Sequence, residues 1–243
     1  MIFWLAVFII LFIIQFIVSK KLLKGFYQLY LLLFSSKNAA VQIITLFLLP
    51  GTIIHEISHM LIAELLRVPT GKISFIPEVI EDKKIKAGSI NIAKTDPFRH
   101  AVIGLAPVLI GLLSIALISF VFFKPFLENP NNLLHLQPLN YLLGLLFIYL
   151  LFSISNTMFS SKEDLKTILF PIILLALVFI VFWYLGINIK IAFTEKFNTF
   201  ADNFFSRLSY GLGLVIFINI LLFLLNKLFL NILLKFKKVE IQT

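Results

Sequence analysis

Residues 39–68 have the sequence AAVQIITLFLLPGTIIHEISHMLIAELLRV, an apolar stretch that contains the motif HEISH at residues 55–59. Pro50 and Gly51 precede this motif. Because proline cannot continue the hydrogen-bond ladder of a helix, we predict that the helix kinks or breaks there and that a new one begins near Thr52. On the new helix the two histidines of the motif, four residues apart, lie on one face.

The rest of the chain is also strongly apolar. Of its 243 residues, 60% are hydrophobic and only 14% are charged, and the mean hydropathy is +1.03. Soluble globular domains carry about 45–50% apolar and about 25% charged residues, so this chain could not cover its own surface with polar groups. The composition excludes a water-soluble enzyme, a disordered chain and a coiled coil. It predicts an integral membrane protein.

Apolar runs separated by polar residues predict an all-α, multi-pass membrane protein with about six transmembrane helices. Residues 26–34 are too short to cross a bilayer, and we predict an interfacial or re-entrant segment there. Residues 124–140 and 190–207 are predicted to be loops. The predicted spans are residues 2–18, 39–68 with its break, 102–123, 141–154, 167–189 and 208–234.

Residues 69–97 differ from the apolar runs on either side. Apolar and polar residues alternate on both sides of residues 81–84, which have the sequence EDKK typical of a turn. This pattern predicts a small membrane-associated β-hairpin directly after the HEISH helix. We treat residues 1–243 as a single membrane-embedded domain with a core at about 39–170.

The charge of the chain indicates where its loops lie. Lysine and arginine exceed aspartate and glutamate by 21 to 12, which gives a net charge of +9. These basic residues stand mainly between apolar runs, where they anchor loops at an anionic bilayer surface, so the expected partner is the lipid bilayer and not nucleic acid. Their distribution predicts that residues 69–97 and both termini face the cytoplasm of a cell membrane. Lys20, Lys21 and Lys24 are assigned to the opposite side.

The motif at residues 55–59 has the spacing of a zinc site. His55 and His59 on one helical face can bind one Zn²⁺, and Glu56 stands where its carboxylate can take a proton from a water molecule at the metal. Ionisable residues inside a membrane helix are costly and indicate function. The chain has no cysteine, so any metal site must use histidine and carboxylate ligands.

Residue type alone does not identify which residue is the third metal ligand. We expect His100 and His135 to be solvated, and Glu195 and Asp202 to be ordinary loop residues; Glu78, nineteen residues after His59, falls in the predicted hairpin. Residues 155–164, with the sequence SNTMFSSKED, form a polar break between two apolar runs. Such a break either lines a protein cavity at membrane depth or is a plain connecting loop.

Taken together, these motifs resemble the site-2 protease family of intramembrane zinc metalloproteases. His55, Glu56 and His59 match the first motif of that family, and Asn156 and Asp164 reproduce its second spacing, an aspartate eight residues after an asparagine. The resemblance implies that Zn²⁺ is held by His55, His59 and Asp164. It also implies that Glu56 is the general base and that Asn156 donates a hydrogen bond to the substrate or to the developing oxyanion.

The resemblance extends to the elements around the site. A membrane-associated β-structure follows the HExxH helix in the family, lies on the cytoplasmic side and holds the substrate in extended form. Residues 104–107, with the sequence GLAP, resemble a small-residue and proline element in the next span. The chain departs from the family at Leu165, where glycine is usual, at Ser160 and Ser161, which replace prolines, and in having no PDZ domain.

The predicted function is that of an intramembrane zinc metalloprotease acting on membrane-protein or membrane-peptide substrates. The alternative is a membrane metal-binding or metal-transport protein that uses the same ligands without hydrolysis. Transport requires polar ligands along several spans, whereas the polar residues of this chain concentrate at two places. The sequence therefore favours hydrolysis.

Overall fold

The computed structural model describes residues 2–75, 78–80, 84–86, 88–128, 138–159 and 194–242, with six further residues between 173 and 184. The elements whose bounds the structure describes are six helices and four short strands. The helices are α1 (Ile2–Phe34), α2 (Lys37–Phe47), α3 (Leu49–Leu65), α4 (Pro97–Glu128), α5 (Pro138–Thr157) and α6 (Glu195–Gln242). The strands are β1 (Thr70–Ser74), β2 (Glu78–Ile80), β3 (Lys84–Lys86) and β4 (Ser89–Ile92).

Several of the described helices have the length and composition of membrane spans. Three of the described helices are long and apolar enough to cross a bilayer, and the pair α2 and α3 would make a fourth if the two count as one bent span. The apolar helix α5 is shorter. The protein is therefore a helical integral membrane protein. The predicted span at 167–189 falls almost entirely outside the described residues, so the expected total of six stays a prediction.

Helix α1 corrects the sequence analysis. It runs without interruption through Lys20 and Lys21 to Phe34, so the predicted stop after residue 18 and the separate segment at 26–34 are both wrong. Lysine is a good helix former, and its long side chain can extend along the helix surface without breaking it. The ammonium group of Lys20 lies 4.1 Å from the ring centroid of Phe16, while Leu22 is buried on another side of the helix.

Two predicted loops are also partly helical. Helix α4 continues to Glu128, beyond the predicted end of that span at residue 123, and α6 begins at Glu195, inside the predicted loop 190–207. At the other end of α4, the carboxylate of Asp96 accepts hydrogen bonds from the backbone N–H groups of Phe98 (3.1 Å) and Arg99 (3.0 Å). The Arg99 N–H holds the pKa of the Asp96 carboxyl below its ordinary value, as expected for a helix cap.

The predicted break beside Pro50 is confirmed. Helices α2 and α3 are bent by 80°, and α3 begins at Leu49 with Pro50 in its first turn, three residues before the predicted start. A break at membrane depth releases backbone groups that need partners, and α5 supplies them. The Ser153 hydroxyl donates to the Leu48 carbonyl (3.1 Å) and accepts from the Gly51 N–H (2.9 Å).

A close contact between helices fixes where α3 begins. A Cβ atom on Gly51 would overlap the Ser153 carbonyl oxygen and the Thr157 hydroxyl, so the residue at this position has to be glycine. One turn away, the Tyr149 hydroxyl donates to the Phe47 carbonyl (3.0 Å). Helix α5 therefore determines the direction in which α3 carries the HEISH motif.

The predicted β-structure is confirmed, as two antiparallel two-stranded ladders. Strand β1 pairs with β4, with a register irregularity between Thr70 and Ile73, and β2 pairs with β3. The β1–β4 ladder lies next to the carboxyl end of α3, where Ile92 packs against a buried cluster that includes Ala63 and Ile103. The sheet is thereby placed beside the helix that carries the motif.

The helices α1 and α6 run in the same direction. Three contacts occur in the same order along both helices: Trp4 with Tyr210 (ring centroids 5.5 Å apart), Gln15 with Asn219 (hydrogen bond of 3.1 Å) and Gly25 with Asn226. The amino end of α1 and the carboxyl end of α6 therefore lie at opposite ends of the pair. This arrangement does not support the expectation that both termini lie on one side of the membrane.

The direction of α4 follows from its contacts with α6. The Arg207 guanidinium lies 4.4 Å from the ring centroid of Phe120, and Gly211 packs against Ser119. The carboxyl half of α4 therefore meets the amino half of α6, and the amino end of α4, beside the sheet, lies toward the carboxyl end of α6. The lysines at residues 20–24 of α1 lie toward that same end, which is opposite to their predicted side.

Candidate metal centre

The HEISH motif forms the buried centre of α3. His55, Glu56 and His59 are only 5%, 6% and 5% exposed. The two imidazole rings have centroids 4.9 Å apart and planes at 83°. The predicted placement of both histidines on one face of a helix is confirmed. Two imidazoles this close can direct one nitrogen each toward a single ion.

Helix α4 orients the second histidine. His59 Nδ1 lies 2.9 Å from the carbonyl oxygen of Ile103. A carbonyl oxygen can only accept a hydrogen bond, so in a neutral imidazole this contact places the proton on Nδ1 and leaves on Nε2 the lone pair that can bind a metal. Metal-binding histidines typically use their other ring nitrogen in this way, to fix the tautomer and the ring orientation.

The sheet closes over the glutamate of the motif. A Cβ atom on Gly88, the residue before β4, would lie 2.9 Å from Glu56 Oε1 and 3.0 Å from Glu56 Cγ. The same atom would lie 3.0 Å from the Thr52 methyl group. The backbone at Gly88 therefore forms a wall against which the Glu56 carboxylate is held.

The donors present fit a zinc ion in part. Imidazole nitrogens suit zinc, and His59 has the tautomer that ligation through Nε2 requires. Across the part of the chain that the structure describes, no three His, Asp or Glu side chains form a group that could hold a metal ion. Asp164, the expected third ligand, lies outside the described residues, and so does its neighbour Glu163.

The other acidic and histidine candidates do not join this pair within the described residues. His100 is exposed in the first turn of α4, Glu195 is exposed at the start of α6, and Asp202 is half-buried on α6. His135 lies outside the described residues, and the side chain of Glu78 is not described. Glu195 and Asp202 are helical residues, and the expectation of a loop there is wrong.

Asn156 belongs to a buried network of amide side chains. Its Nδ2 donates to the Phe152 carbonyl (2.8 Å) and to Asn219 Oδ1 (3.1 Å). Asn219 Nδ2 in turn lies within hydrogen-bond distance of Asn156 Oδ1 (3.2 Å) and Gln15 Oε1 (3.1 Å). All three amide side chains are fully buried. The network ties α1, α5 and α6 together at the carboxyl end of α5.

Three residues that contact the predicted site residues Glu56 and Asn156 or their partners were not predicted from the sequence. Gln15 and Asn219 are amides inside apolar helices, and polar residues at such positions are a signal that could have been used. The contact of Gly88 with Glu56 has no such signal, because it depends on how the sheet folds back onto α3.

Comparison with protein-family models, with curated proteins and with solved structures finds no match to this chain.

Proposed function

We propose that this chain is an intramembrane zinc metalloprotease that hydrolyses peptide bonds of membrane-embedded substrates. The observation that carries the proposal is the burial of His55, Glu56 and His59 on one membrane helix. Burying three ionisable side chains at such a position is costly, and membrane proteins retain such groups where they have a function. Two imidazoles flanking a carboxylate in the HExxH spacing are the donor and base set of zinc proteases.

The proposed metal ligands are His55, His59 and Asp164. Asp164 is assigned from its spacing to Asn156, which resembles the second motif of site-2 proteases. When bound, zinc lowers the pKa of a coordinated water molecule to about 7 and polarises the carbonyl group of the substrate.

The protein groups then carry the proton transfers. Glu56 takes the proton from the attacking water and delivers it to the amine that leaves when the peptide bond breaks. The wall at Gly88 limits the positions that the Glu56 carboxylate can adopt. A base that is held in place keeps the reacting groups aligned, so less of the reaction rate is lost to misplacement.

The neighbouring sheet suggests how a helical substrate becomes accessible. A peptide bond inside a helix is shielded, so the substrate has to unwind before it is cut. Strand β4 follows Gly88, next to Glu56, and an extended substrate could pair with the sheet there and exchange its helical hydrogen bonds for intermolecular ones. This agrees with what the resemblance implies for residues 69–97.

For Asn156 we propose a positioning role in place of the direct contact that the resemblance implies. Its amide already bonds to Asn219 and to the Phe152 carbonyl. By holding the last turn of α5, Asn156 would fix the point from which the chain continues toward Asp164.

We also propose that the sheet faces the cytoplasm. Lys20, Lys21 and Lys24 lie at the same end of the bundle as the sheet, which adds to the basic residues already assigned to that side. An excess of lysine and arginine is typical of cytoplasmic loops.

The test is to compare zinc content and proteolysis in the same purified samples. The chain is reconstituted in liposomes with a tagged single-span membrane protein. Glu56→Gln should keep its zinc and form no product, whereas His55→Ala should lose both. Glu64→Gln, an exposed glutamate on the same helix, is the matched control and should keep both.

The outcome also separates the two candidate functions. Product formation that Glu56→Gln abolishes supports the protease. Full proteolysis by Glu56→Gln would contradict the mechanism. Stoichiometric zinc in a chain that cleaves none of a panel of single-span substrates would favour the metal-binding or metal-transport alternative.

A further inference from the structure

Ile103 and Pro107 lie one turn apart on α4, and both are fully buried. In an α-helix the N–H of each residue bonds to the carbonyl oxygen four positions earlier. Proline has no N–H, so the α-helical bond to the Ile103 carbonyl cannot form. The helix nevertheless continues past this point to Glu128. Pro107 therefore leaves the Ile103 carbonyl available to another donor.

The donor that bonds this carbonyl is His59. Its Nδ1 lies 2.9 Å from the Ile103 oxygen, across the interface between α3 and α4. A buried carbonyl without a partner is costly, so the bond stabilises the contact between the helices. In a neutral imidazole the bond also favours the tautomer with the proton on Nδ1.

We propose that Pro107 is a positioning residue for the metal centre. By removing the competing N–H from α4, it reserves the Ile103 carbonyl for His59, which keeps the proton on Nδ1 and presents Nε2 to the metal. This inference rests on the proposed function, because it assumes that His59 binds a metal.

The effect of any other residue at position 107 follows from this geometry. Its N–H would donate to the Ile103 carbonyl within α4, so the His59 bond would share its acceptor and become weaker. A neutral imidazole with a weaker bond at Nδ1 populates the other tautomer more, and the tautomer protonated at Nε2 cannot bind zinc through that atom. Loss of such supporting hydrogen bonds typically costs about 10- to 100-fold in metal affinity.

The experiment compares Pro107→Ala with Pro97→Ala. Pro97 is the first residue of the same helix, where a proline removes no helical hydrogen bond. The control therefore makes the same substitution without adding an N–H that competes for a carbonyl oxygen of the helix. Zinc affinity is measured by competition with a chelator on the full-length protein in detergent. The tautomer of His59 is read from nitrogen-15 NMR of the metal-free protein labelled at histidine, and the signal is assigned by its absence from His59→Ala.

In the wild-type chain and in Pro97→Ala, His59 should be protonated at Nδ1. Pro107→Ala should shift it toward the other tautomer and lower the zinc affinity by about 10-fold or more. Its melting temperature should stay close to that of the wild-type chain, because the better helix propensity of alanine offsets the truncation of the buried ring and the weaker His59 bond. Pro107→Ser, which also restores the N–H, should behave in the same way and provides a second variant if Pro107→Ala folds poorly.

Two results would overturn the proposal: an unchanged tautomer or an unchanged zinc affinity. An unchanged tautomer together with a lower melting temperature would mean that Pro107 serves packing alone. A wild-type chain that binds no zinc would instead contradict the proposed function, and the NMR comparison would still decide whether Pro107 sets the tautomer.

Discussion

Gly88, the residue before β4, packs directly against Glu56 of α3, with only 2.9 Å between the position of a missing Cβ atom and Glu56 Oε1. These residues are 32 positions apart in the chain, and the contact brings the sheet onto the HEISH motif. It means that the base of the proposed protease is positioned from two sides, by its own helix and by the backbone of the sheet.

Gly88→Ala should therefore impair proteolysis without removing the metal. The added methyl group would push the Glu56 carboxylate aside by a fraction of an ångström or more, and a misplacement of about 1 Å can cost on the order of 10²-fold in rate. The measurement is the cleavage rate and the zinc content of the same sample.

Gly71→Ala is the matched control for this substitution. Gly71 lies in β1, where an added Cβ would meet the Asn91 side chain and no part of the motif. It should keep most of the activity. Equal activity of Gly88→Ala and the wild-type chain would show that the wall at Gly88 does not position the base.

The amide network should contribute to stability. Asn219→Leu would leave the amides of Gln15 and Asn156 without their shared partner inside the bundle. The loss of hydrogen bonds between membrane helices, with two buried amide oxygens deprived of the Asn219 donor, suggests a loss of about 1–2 kcal/mol in the free energy of unfolding. The free energy is measured by titration with a denaturing detergent.

The control for the network lies on the same helix. Ser209 is buried, but its hydroxyl donates to the Phe205 carbonyl within α6 (2.7 Å). Ser209→Ala should therefore change the stability much less than Asn219→Leu. If the two variants lost equal stability, the network would have no special role in joining the helices.

The orientation of the helices can be tested with introduced cysteines, because the chain has none of its own. Cysteines at Lys24 and Lys94 should lie on the side of the sheet and resist a membrane-impermeant thiol reagent in intact cells. A cysteine at Glu195, at the amino end of α6, should be labelled. Labelling of the cysteine at Lys24 but not of the cysteine at Lys94 would contradict the placement of Lys24 on the side of the sheet.

The sequence was sufficient for features set by local chemistry. The apolar composition predicted a helical membrane protein, Pro50 predicted the break before α3, and the HExxH spacing predicted two histidines on one buried face. The alternating pattern of residues 69–97 predicted the β-structure. Each of these depends on backbone periodicity or on proline geometry, which neighbouring residues determine.

The sequence failed to predict the end of α1, and it failed where tertiary contacts decide the outcome. Lys20 and Lys21 looked like the end of a span, but a lysine stops no helix, and α1 continues for a further thirteen residues after Lys21. Asn219, the amide partner of Asn156, and His59, the donor to the Ile103 carbonyl, come from other helices, at sequence separations of 63 and 44 residues. No local pattern specifies such contacts.

The third metal ligand calls for a comparison of two neighbouring carboxylates. Adjacent residues on a helix point about 100° apart, so a rigid site would rarely use both. We expect Asp164→Ala to lower zinc affinity by about 10-fold or more and to stop turnover, and Glu163→Ala to keep most of the activity. If Glu163→Ala lowered zinc affinity and Asp164→Ala did not, the third ligand would be one residue away from its assigned position. If neither variant changed the zinc content, Glu78 would be the next candidate for the third ligand.

The central claim, peptide hydrolysis by water at this site, is tested most directly by mass spectrometry of the products. A single-span substrate is incubated with the chain in liposomes in water enriched in oxygen-18. We expect the amino-terminal product to carry one oxygen-18 atom in its new carboxyl group, with no product formed by Glu56→Gln. Cleavage that proceeds equally in Glu56→Gln, or a product without the label, would contradict the account.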